Sequence, residues 1–305
     1  MQKPNGVNKK YGDYRCVALL DKAHDSALYH ALNIKTGKMF TLRVVTLRKD
    51  AHRQINLEEA HTLIRHELEG IMRLQHETMV SVLDFGIDEN TLYMVLPMMR
   101  GNSLHNRLEA RNITAQNTEG LPSLGQIAQL VRRVAEALQA LHQATVVHGQ
   151  VEPRAILFDE EGMSYLADVG LIRLQKIIFQ LNNTNSFSLT RYSAPELWEG
   201  SKPQPASDQY ALACIAYELI TGRAPFESPT LFGLMKSHVN DAVMPPHYVR
   251  RDMKLPTELA MVFWQALAKP IDRRFLQVGD FGREFERVVQ GYEGEPSDFF
   301  TFPLP

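Results

Sequence analysis

The sequence has little of what marks an exported, membrane-spanning or metal-bound protein. Only two of its 305 residues are cysteines, Cys16 and Cys214, and neither belongs to a CxxC pair, which excludes that motif for zinc or redox chemistry. No run approaches the roughly 18 uninterrupted apolar residues of a membrane helix. Residues 1–10 lack the apolar stretch of a secretory signal. These absences predict a cytoplasmic protein with no membrane span.

The sequence also lacks an excess of positive or of negative charge. Lysine and arginine total 33, aspartate and glutamate total 35, and the formal net charge is -2 at pH 7. Nucleic acids and anionic lipid surfaces select dense basic patches, and this balance indicates none, so neither is expected as a partner. Hydrophobic residues make up 44% of the chain, which is enough for a large core. The composition predicts an ordinary globular protein.

The first hundred residues have mainly the pattern of strands, with one helix. Short apolar and β-branched runs at residues 28–32 and 39–45 flank a Lys-Thr-Gly-Lys turn, which is typical of a hairpin. Apolar side chains at three- and four-residue steps predict a helix over residues 58–74. Further strands are expected at residues 80–85 and 92–96. This region is predicted to form a small lobe rich in sheet.

The chain after Gly101 is predicted to be helical. A regular apolar stripe indicates an amphipathic helix at residues 126–142. Residues 210–220 are apolar on nearly every face and precede Gly222, as expected of a buried helix with a glycine cap. The polar stretches 112–123 and 175–190 are predicted to be long loops.

Both ends of the chain are predicted to be tails. The N-terminal one is polar, with glycine and proline, and indicates a flexible segment. The C-terminal one carries three phenylalanines beside proline, which indicates either a segment that docks on something or a disordered end. The predicted division is a tail, an N-terminal lobe, a C-terminal lobe and an aromatic tail, at residues 1–12, 13–97, 101–290 and 291–305.

Six short motifs occur in a fixed order through the second part of the chain. Their order and spacing resemble the catalytic loop, the metal-binding element and the following elements of eukaryotic-like (Hanks-type) Ser/Thr protein kinases, as found in bacteria. The resemblance implies an α+β fold, with a small antiparallel-sheet lobe containing one helix and a larger helical lobe, over residues 13–290. The motifs are His148-Gly149-Gln150-Val151-Glu152-Pro153, Asp168-Val169-Gly170, Ala194-Pro195-Glu196, Asp208-Gln209-Tyr210-Ala211-Leu212, Gly222-Arg223-Ala224-Pro225-Phe226 and Asp272-Arg273-Arg274-Phe275.

The resemblance assigns structural roles to several residues that match the family. It implies that Glu196 forms an ion pair with Arg274 and that Asp208 holds the backbone of the catalytic loop. It also implies a stack of side chains that links the two lobes. The stack consists of Ile71, Val82, His148 and Val169.

The phosphate-covering loop of the family has no glycine in this chain. Backbone N–H groups approach phosphates closely only where no side chain intervenes, so three glycines are expected there. Their positions are occupied by Asp21, Ala23 and Ser26. Asp21 adds a negative charge facing the place where a polyanion would lie.

The nucleotide pocket is altered too. Arg43 stands where the family has lysine, and its guanidinium is a wide planar fork rather than a compact ammonium. We therefore expect a structural role, with Arg43 paired to Glu67 and with Asp168 as a further candidate partner. Thr41 replaces the small alanine that faces adenine in the family, and its hydroxyl would crowd that pocket. The other pocket remnants are Leu96 and Leu157.

Three positions that carry chemistry in the family have changed. Gln150 replaces the aspartate that orients the acceptor hydroxyl, and an amide cannot take a proton. Glu152 replaces a lysine at the reaction centre, which reverses the charge there. Ala155 replaces the second metal-binding residue and offers no oxygen, which leaves Asp168 as the sole candidate ligand and no metal expected.

These changes predict a pseudokinase. The expectation is a chain that is not an enzyme, has no cofactor and binds ATP and magnesium weakly at most. It would act as a scaffold or allosteric regulator that binds a protein partner, such as an active kinase or part of a larger assembly. Two alternatives stay open: an ATP-binding switch, and a weak or unconventional Ser/Thr kinase or nucleotide transferase that uses Arg43, Glu67 and Asp168 with Glu152 as base.

Overall fold

The chain forms a sheet-rich lobe followed by a helical lobe. The structure, a computed structural model, describes residues 6–22, 26–46, 57–88, 91–113, 120–174, 189–292 and 298–300. Within them, the strands of the first lobe are antiparallel and the second lobe is mainly helical. The predicted two-lobed α+β fold is confirmed.

The N-terminal lobe is built on a sheet in which the described strands have the order β1-β2-β3-β4-β6-β5. Neighbouring strands pair antiparallel, and helix α1 (Leu57–Met72) connects β4 to β5. Side chains alternate across the sheet, so one face can pack on α1 and on the second lobe. The strands are β1 (Lys10–Tyr11), β2 (Tyr14–Lys22), β3 (Ser26–Asn33), β4 (Met39–Thr46), β5 (Asp84–Asp88) and β6 (Thr91–Leu96).

Two predictions for this lobe are wrong in part. The strand predicted at residues 80–85 begins only at Asp84, because the N–H of Val80 bonds to Leu166 of the second lobe instead of entering the sheet. The predicted tail 1–12 is not wholly a tail, since Lys10–Tyr11 pairs with β2. Both segments use backbone hydrogen bonds that periodicity alone does not reveal.

The C-terminal lobe surrounds two long helices, α3 and α5. Ser123 begins α3 with a capping box, in which its hydroxyl accepts from the N–H of Gln126 and the Gln126 side chain reaches back. A short hairpin, β7 (Ile156–Phe158) with β8 (Ser164–Leu166), lies under the N-terminal lobe. The helices are α2 (Leu104–Ala110), α3 (Leu124–Gln143), α4 (Pro195–Trp198), α5 (Pro205–Thr221), α6 (Leu231–Asn240), α7 (Pro246–Val249), α8 (Leu259–Ala266) and α9 (Val278–Val289).

Helix α5 lies at the centre of this lobe. Every side chain from Ser207 to Thr221 is buried, which explains why apolar residues occupy all its faces. The helix ends at Gly222, whose φ of 75° is the left-handed conformation of a glycine cap. The helices predicted at residues 126–142 and 210–220 are therefore confirmed. Over the part of the chain that is described, no helix, α5 included, is long and apolar enough to cross a membrane.

Candidate functional site

The loop that follows α3 is fixed by one buried carboxylate. Asp208, in the first turn of α5, accepts hydrogen bonds from the backbone N–H of His148 at 2.9 Å and of Gly149 at 2.7 Å. His142 Nε2 lies 2.9 Å from the same side chain. Because the acceptor is charged and enclosed, these bonds are stronger than neutral ones. They hold residues 148–155 in place below the cleft between the lobes.

Side chains that the resemblance places in a stack lie near this loop and helix α1. His148 Nε2 lies 2.8 Å from the carbonyl oxygen of Ala167. Val169 and Ile71 are buried in one core, and Val82 packs against it. Gly170 permits the close approach of Ile71, since a Cβ there would lie 2.3 Å from Ile71 Cδ1. Ile71, Val82 and Val169 thus share one core, whereas the stacking of His148 on them stays a prediction.

Glu196 and Arg274 form an enclosed ion pair at the base of the C-terminal lobe. Arg274 NH2 lies 2.8 Å from Oε2 and NH1 lies 3.0 Å from Oε1, with side chains 0% and 8% exposed. Ser207 Oγ also donates to Glu196 at 2.7 Å. Burial opposes the charged form of Glu196, but the hydrogen bonds from Arg274 and Ser207 outweigh it and lower the pKa of the carboxyl.

Arg43 reaches across the cleft from β4 to the carboxylate of Asp168. Its Nε donates to Oδ1 at 2.8 Å and its NH2 to Oδ2 at 2.6 Å. The two side chains are only 5% and 12% exposed. A bidentate pair of this kind matches the planar fork of arginine and occupies both carboxylate oxygens.

Glu67 does not share this pair. In the structure as described, its ion pair is with Arg173, whose Nε lies 3.0 Å from Glu67 Oε1. The prediction that Arg43 pairs with Glu67 is therefore wrong, and the further candidate, Asp168, is the actual partner. The reason is geometric: Arg173 lies five residues after Asp168 and reaches Glu67 on α1, while Nε and NH2 of Arg43 both bond to Asp168.

The linker between the lobes, residues 97–103 between β6 and α2, bonds to Thr41. The N–H of Met99 donates to Thr41 Oγ1 at 2.9 Å, and His30 Nε2 lies 3.4 Å from the Met99 carbonyl oxygen. Thr41 is fully buried. Backbone groups of this kind commonly orient a bound small molecule, and here the N–H already has an internal partner. Leu96 and Leu157 pack beside this linker in one buried cluster with Leu28, Val80, Met99 and Ala167.

A second set of contacts closes the mouth of the cleft. Arg154 forms an ion pair with Asp21, and Asn106 Nδ2 donates to the carbonyl oxygen of Leu20 at 2.8 Å. We call Leu20, Asp21, Asn106 and Arg154 the cleft-mouth bridge. Sequence reasoning missed Arg154 and Asn106; the opposite charges of Asp21 and Arg154 were the available signal. Of the other former glycine positions, Ser26 begins β3 and Ala23 lies outside the described residues.

Glu152 lies between these two ion pairs. Burial, and then the nearby charge of Asp168, raise the pKa of its carboxyl to about 7, although Arg154 and Arg43 act in the opposite direction. The altered positions Gln150 and Ala155 lie on the same loop, and Ala155 is buried, with its carbonyl oxygen accepting from the N–H of Ala167. The loop therefore presents a proton-holding acid near neutral pH.

The residues present do not fit a magnesium nucleotide in this arrangement. Both oxygens of Asp168 are taken by an arginine, and Ala155 provides no oxygen for a metal. Asp21 adds a carboxylate at the mouth of the cleft, where phosphates would require positive charge. The N–H of Met99 is also engaged. A nucleotide would first have to displace these internal partners.

Comparison with known proteins places the chain among kinases. The family described as protein kinase domain matches residues 22–274. The serine/threonine-protein kinase PkaB of Streptomyces coelicolor is 32% identical over 67% of this chain and 47% of its own length. A probable serine/threonine-protein kinase of Corynebacterium efficiens is 29% identical over 96% of this chain and 45% of its own length. The chain thus spans about half the length of these curated relatives.

Solved structures support the fold. The crystal structure of the Mycobacterium tuberculosis PknI kinase domain superposes with a TM-score of 0.66, covering 94% of this chain and 100% of that one. A single-residue mutant of the same domain gives a TM-score of 0.69. Sequence identity is 21% in both cases, so this likeness concerns the fold alone.

The comparisons overturn one prediction. The expectation that the chain is not an enzyme is wrong, because relatives 26% to 32% identical over most of the chain are named serine/threonine-protein kinases, which indicates an enzyme. Counting changed side chains at a few positions gave too little weight to similarity over the whole domain. The match over residues 22–274 covers far more than half of the sequence, and the chain therefore belongs to the protein kinase domain family.

Proposed function

We propose that this protein-kinase-family domain acts in signalling as a regulatory module that binds another protein while its own side chains hold the cleft closed. The observation that carries the proposal is the bidentate pair between Arg43 and Asp168. It joins the two lobes directly and occupies both oxygens of Asp168, the candidate metal ligand of the cleft.

The energetics favour the closed arrangement. Any competitor for Asp168 must leave the guanidinium of Arg43, which is 5% exposed, without its charged partner. Separating a buried pair in this way costs about 3–5 kcal/mol. The cleft-mouth bridge and the bond from Met99 to Thr41 add further contacts that an incoming nucleotide would have to break.

The retained framework supports a role in binding. Buried pairs at Glu196 and Asp208 hold elements of the C-terminal lobe together without anything bound in the cleft. A stable shape with a closed cleft can present a constant surface to a protein, such as an active kinase or part of a larger assembly. The curated relatives that the chain matches are about twice as long as it is, so the partners of the whole relatives are not carried over to this domain.

A second candidate function is phosphoryl transfer by an unconventional residue set. It is favoured by Glu152, whose carboxyl has a pKa of about 7 and so can accept a proton near neutral pH. The names of the relatives favour it as well. In this candidate, Glu152 takes the role of base that Gln150 cannot fill, once Arg43 has left Asp168.

Thermal unfolding with ATP, with and without magnesium, tests the first candidate. A ligand at ten times its Kd stabilises a protein by about 1.4 kcal/mol, which corresponds to about 2 °C in melting temperature for a domain of this size. For the unaltered chain we expect a magnesium-dependent shift below about 1 °C. Arg43→Lys, which weakens the hold on Asp168, should give a larger shift. The matched control Arg287→Lys alters an exposed pair with Glu284 and should behave like the unaltered chain.

Transfer of labelled phosphate to a protein acceptor tests the second candidate. Transfer by the unaltered chain that is lost in both Asp168→Ala and Glu152→Gln would establish it. Transfer that both variants keep would contradict it.

A further inference from the structure

The last described residues pack on the outer side of the linker. Asp298–Phe300 forms a 3-10 turn in which Phe299 is fully buried. The ring of Phe300 stacks on Phe158, with centroids 5.0 Å apart and planes 24° apart. The two phenylalanine rings also meet edge to face at 5.1 Å. We call Asp298–Phe300 the Phe-Phe turn.

A fully buried arginine receives this turn. Arg107 donates from NH1 to the carbonyl oxygen of Phe299 at 2.7 Å and from Nε to that of Gly101 at 3.0 Å. Its guanidinium also lies over the ring of Phe158, 4.4 Å from the centroid. Burial, and then the charge of Arg111, lower the pKa of Arg107 to about 10. This desolvated cation therefore has an acceptor in the turn and an acceptor in the linker.

Two glycines make room for the contact. Gly162, in the turn between β7 and β8, has φ of 81°, and a Cβ there would lie 2.2 Å from the carbonyl oxygen of Phe300. A Cβ at Gly101 would lie 2.6 Å from Phe158 Cβ and 2.8 Å from Arg107 NH2. We call Gly101, Arg107, Phe158 and Gly162 the linker groove. Its shape fits two aromatic rings, and its arginine donor fits a backbone carbonyl oxygen between them.

The linker groove shares a strand and a linker with the cleft. In β7, Leu157 belongs to the buried cluster beside Met99, whereas the next residue, Phe158, faces the turn. Gly101 lies two residues after Met99, and its N–H donates to the carbonyl oxygen of Phe158 at 3.0 Å. A change at the groove therefore reaches the linker through adjacent residues.

We propose that the linker groove is a docking site for a Phe-Phe motif, that the chain's own residues 298–300 are its occupant, and that their docking restrains the linker beside the cleft. The proposal does not depend on whether the chain transfers phosphate. Under this proposal, release of the Phe-Phe turn from the linker groove would loosen the linker beside the cleft.

Hydrogen exchange of the linker amides tests the restraint, with two glycine variants as a matched pair. Gly162→Ala places a methyl against Phe300, whereas Gly200→Ala has a similar φ of 85° and no heavy atom within 4 Å of the new Cβ. Both carry the same backbone strain, so their difference reports the docking contact. We expect several-fold faster exchange at the amides of Gly101 and Phe158 in Gly162→Ala than in Gly200→Ala. Equal exchange in the two variants would overturn the proposal.

A peptide added in trans tests the docking site itself. The double variant Phe299→Ala/Phe300→Ala removes the rings but leaves the groove unchanged. A synthetic peptide of residues 291–305 should bind it, measured by fluorescence anisotropy, and should restore slow exchange at Gly101 and Phe158. The same peptide with both phenylalanines replaced by alanine should do neither. Failure of the natural peptide both to bind and to restore protection would contradict the proposal even if the glycine variants fold poorly.

Discussion

The base of the C-terminal lobe and the cleft use the same interaction to different ends. In each, an arginine fork grips both oxygens of a buried carboxylate: Arg274 with Glu196, and Arg43 with Asp168. The first pair joins elements of one lobe and carries further bonds to Ser207 and to backbone carbonyls. The second pair joins two lobes.

The surroundings of the two pairs explain the difference. At the base, the partners are those that the kinase resemblance implies. In the cleft, partners have been exchanged, so that Glu67 bonds to Arg173 and Asp168 to Arg43. Asp168 also has φ of 60°, a conformation that costs a non-glycine residue energy. The framework therefore keeps the pairing that the family resemblance implies, whereas the cleft has a different one.

Removing one partner at the base should give the largest loss of stability. Glu196→Gln leaves the side chain of Arg274, which is 0% exposed, without a counter-charge. We expect the free energy of unfolding to fall by about 3–5 kcal/mol, measured by urea denaturation. As a control, Glu284→Gln removes the partner of the exposed Arg287 and should change stability little. Equal losses in the two variants would show that burial does not distinguish these pairs.

A double-mutant cycle measures the pair in the cleft. Arg43→Met and Asp168→Asn each remove one charge, and asparagine tolerates the positive φ at position 168. Because the pair is buried and bidentate, we expect a coupling energy of about 1–3 kcal/mol from denaturation of the single and double variants. Additive effects would mean that the two side chains are neighbours without being coupled. The ion pair would then not hold the cleft closed.

The pH dependence of stability should show a smaller effect, from Glu152. The folded chain holds this proton with a pKa of about 7, against 4.5 for an ordinary glutamate. Stability therefore falls as pH rises from about 4.5 to about 7, because the folded state binds more protons than the unfolded state. Glu152→Gln has no such proton to lose. At the upper end of this pH range its free energy of unfolding should exceed that of the unaltered chain by about 1–2 kcal/mol, with partial exposure allowed for.

Urea unfolding of both proteins at about pH 5 and about pH 8 checks this prediction. The two should be similar at the lower pH and differ at the higher one. A constant difference at both values would indicate that the substitution acts through packing rather than through ionisation.

Much of the framework was predictable because it depends on periodicity and on residue types at fixed spacing. The apolar stripe of α3, the all-round apolar surface of α5 and the charges at Glu196 and Arg274 were all visible in the sequence. Side-chain partners across the cleft were not, since they depend on how closely the lobes approach. Arg43 had two acidic candidates, and only the position of Arg173 decided between them.

Two features that differ from what the local sequence pattern predicts could not be predicted either. Residues 80–83 have the apolar content of a strand, yet Val80 bonds to Leu166 because that backbone runs beside β8. Arg107 lies in a helix where an exposed charge is the ordinary expectation. Its burial follows from Phe158 and Phe299, which are distant in sequence and contribute a ring face and a carbonyl oxygen.

The ion pair of Arg43 has a consequence for what the cleft can sense. A dissolved metal competes for a carboxylate through its concentration, but Arg43 belongs to the same chain, so its effective concentration is constant. A metal can therefore displace Arg43 only where its concentration, relative to its own affinity for the carboxylate, exceeds that fixed value. Movement of β4 away from the segment after β8 would lower the effective concentration itself, so a bound protein that separates the lobes would free both oxygens of Asp168.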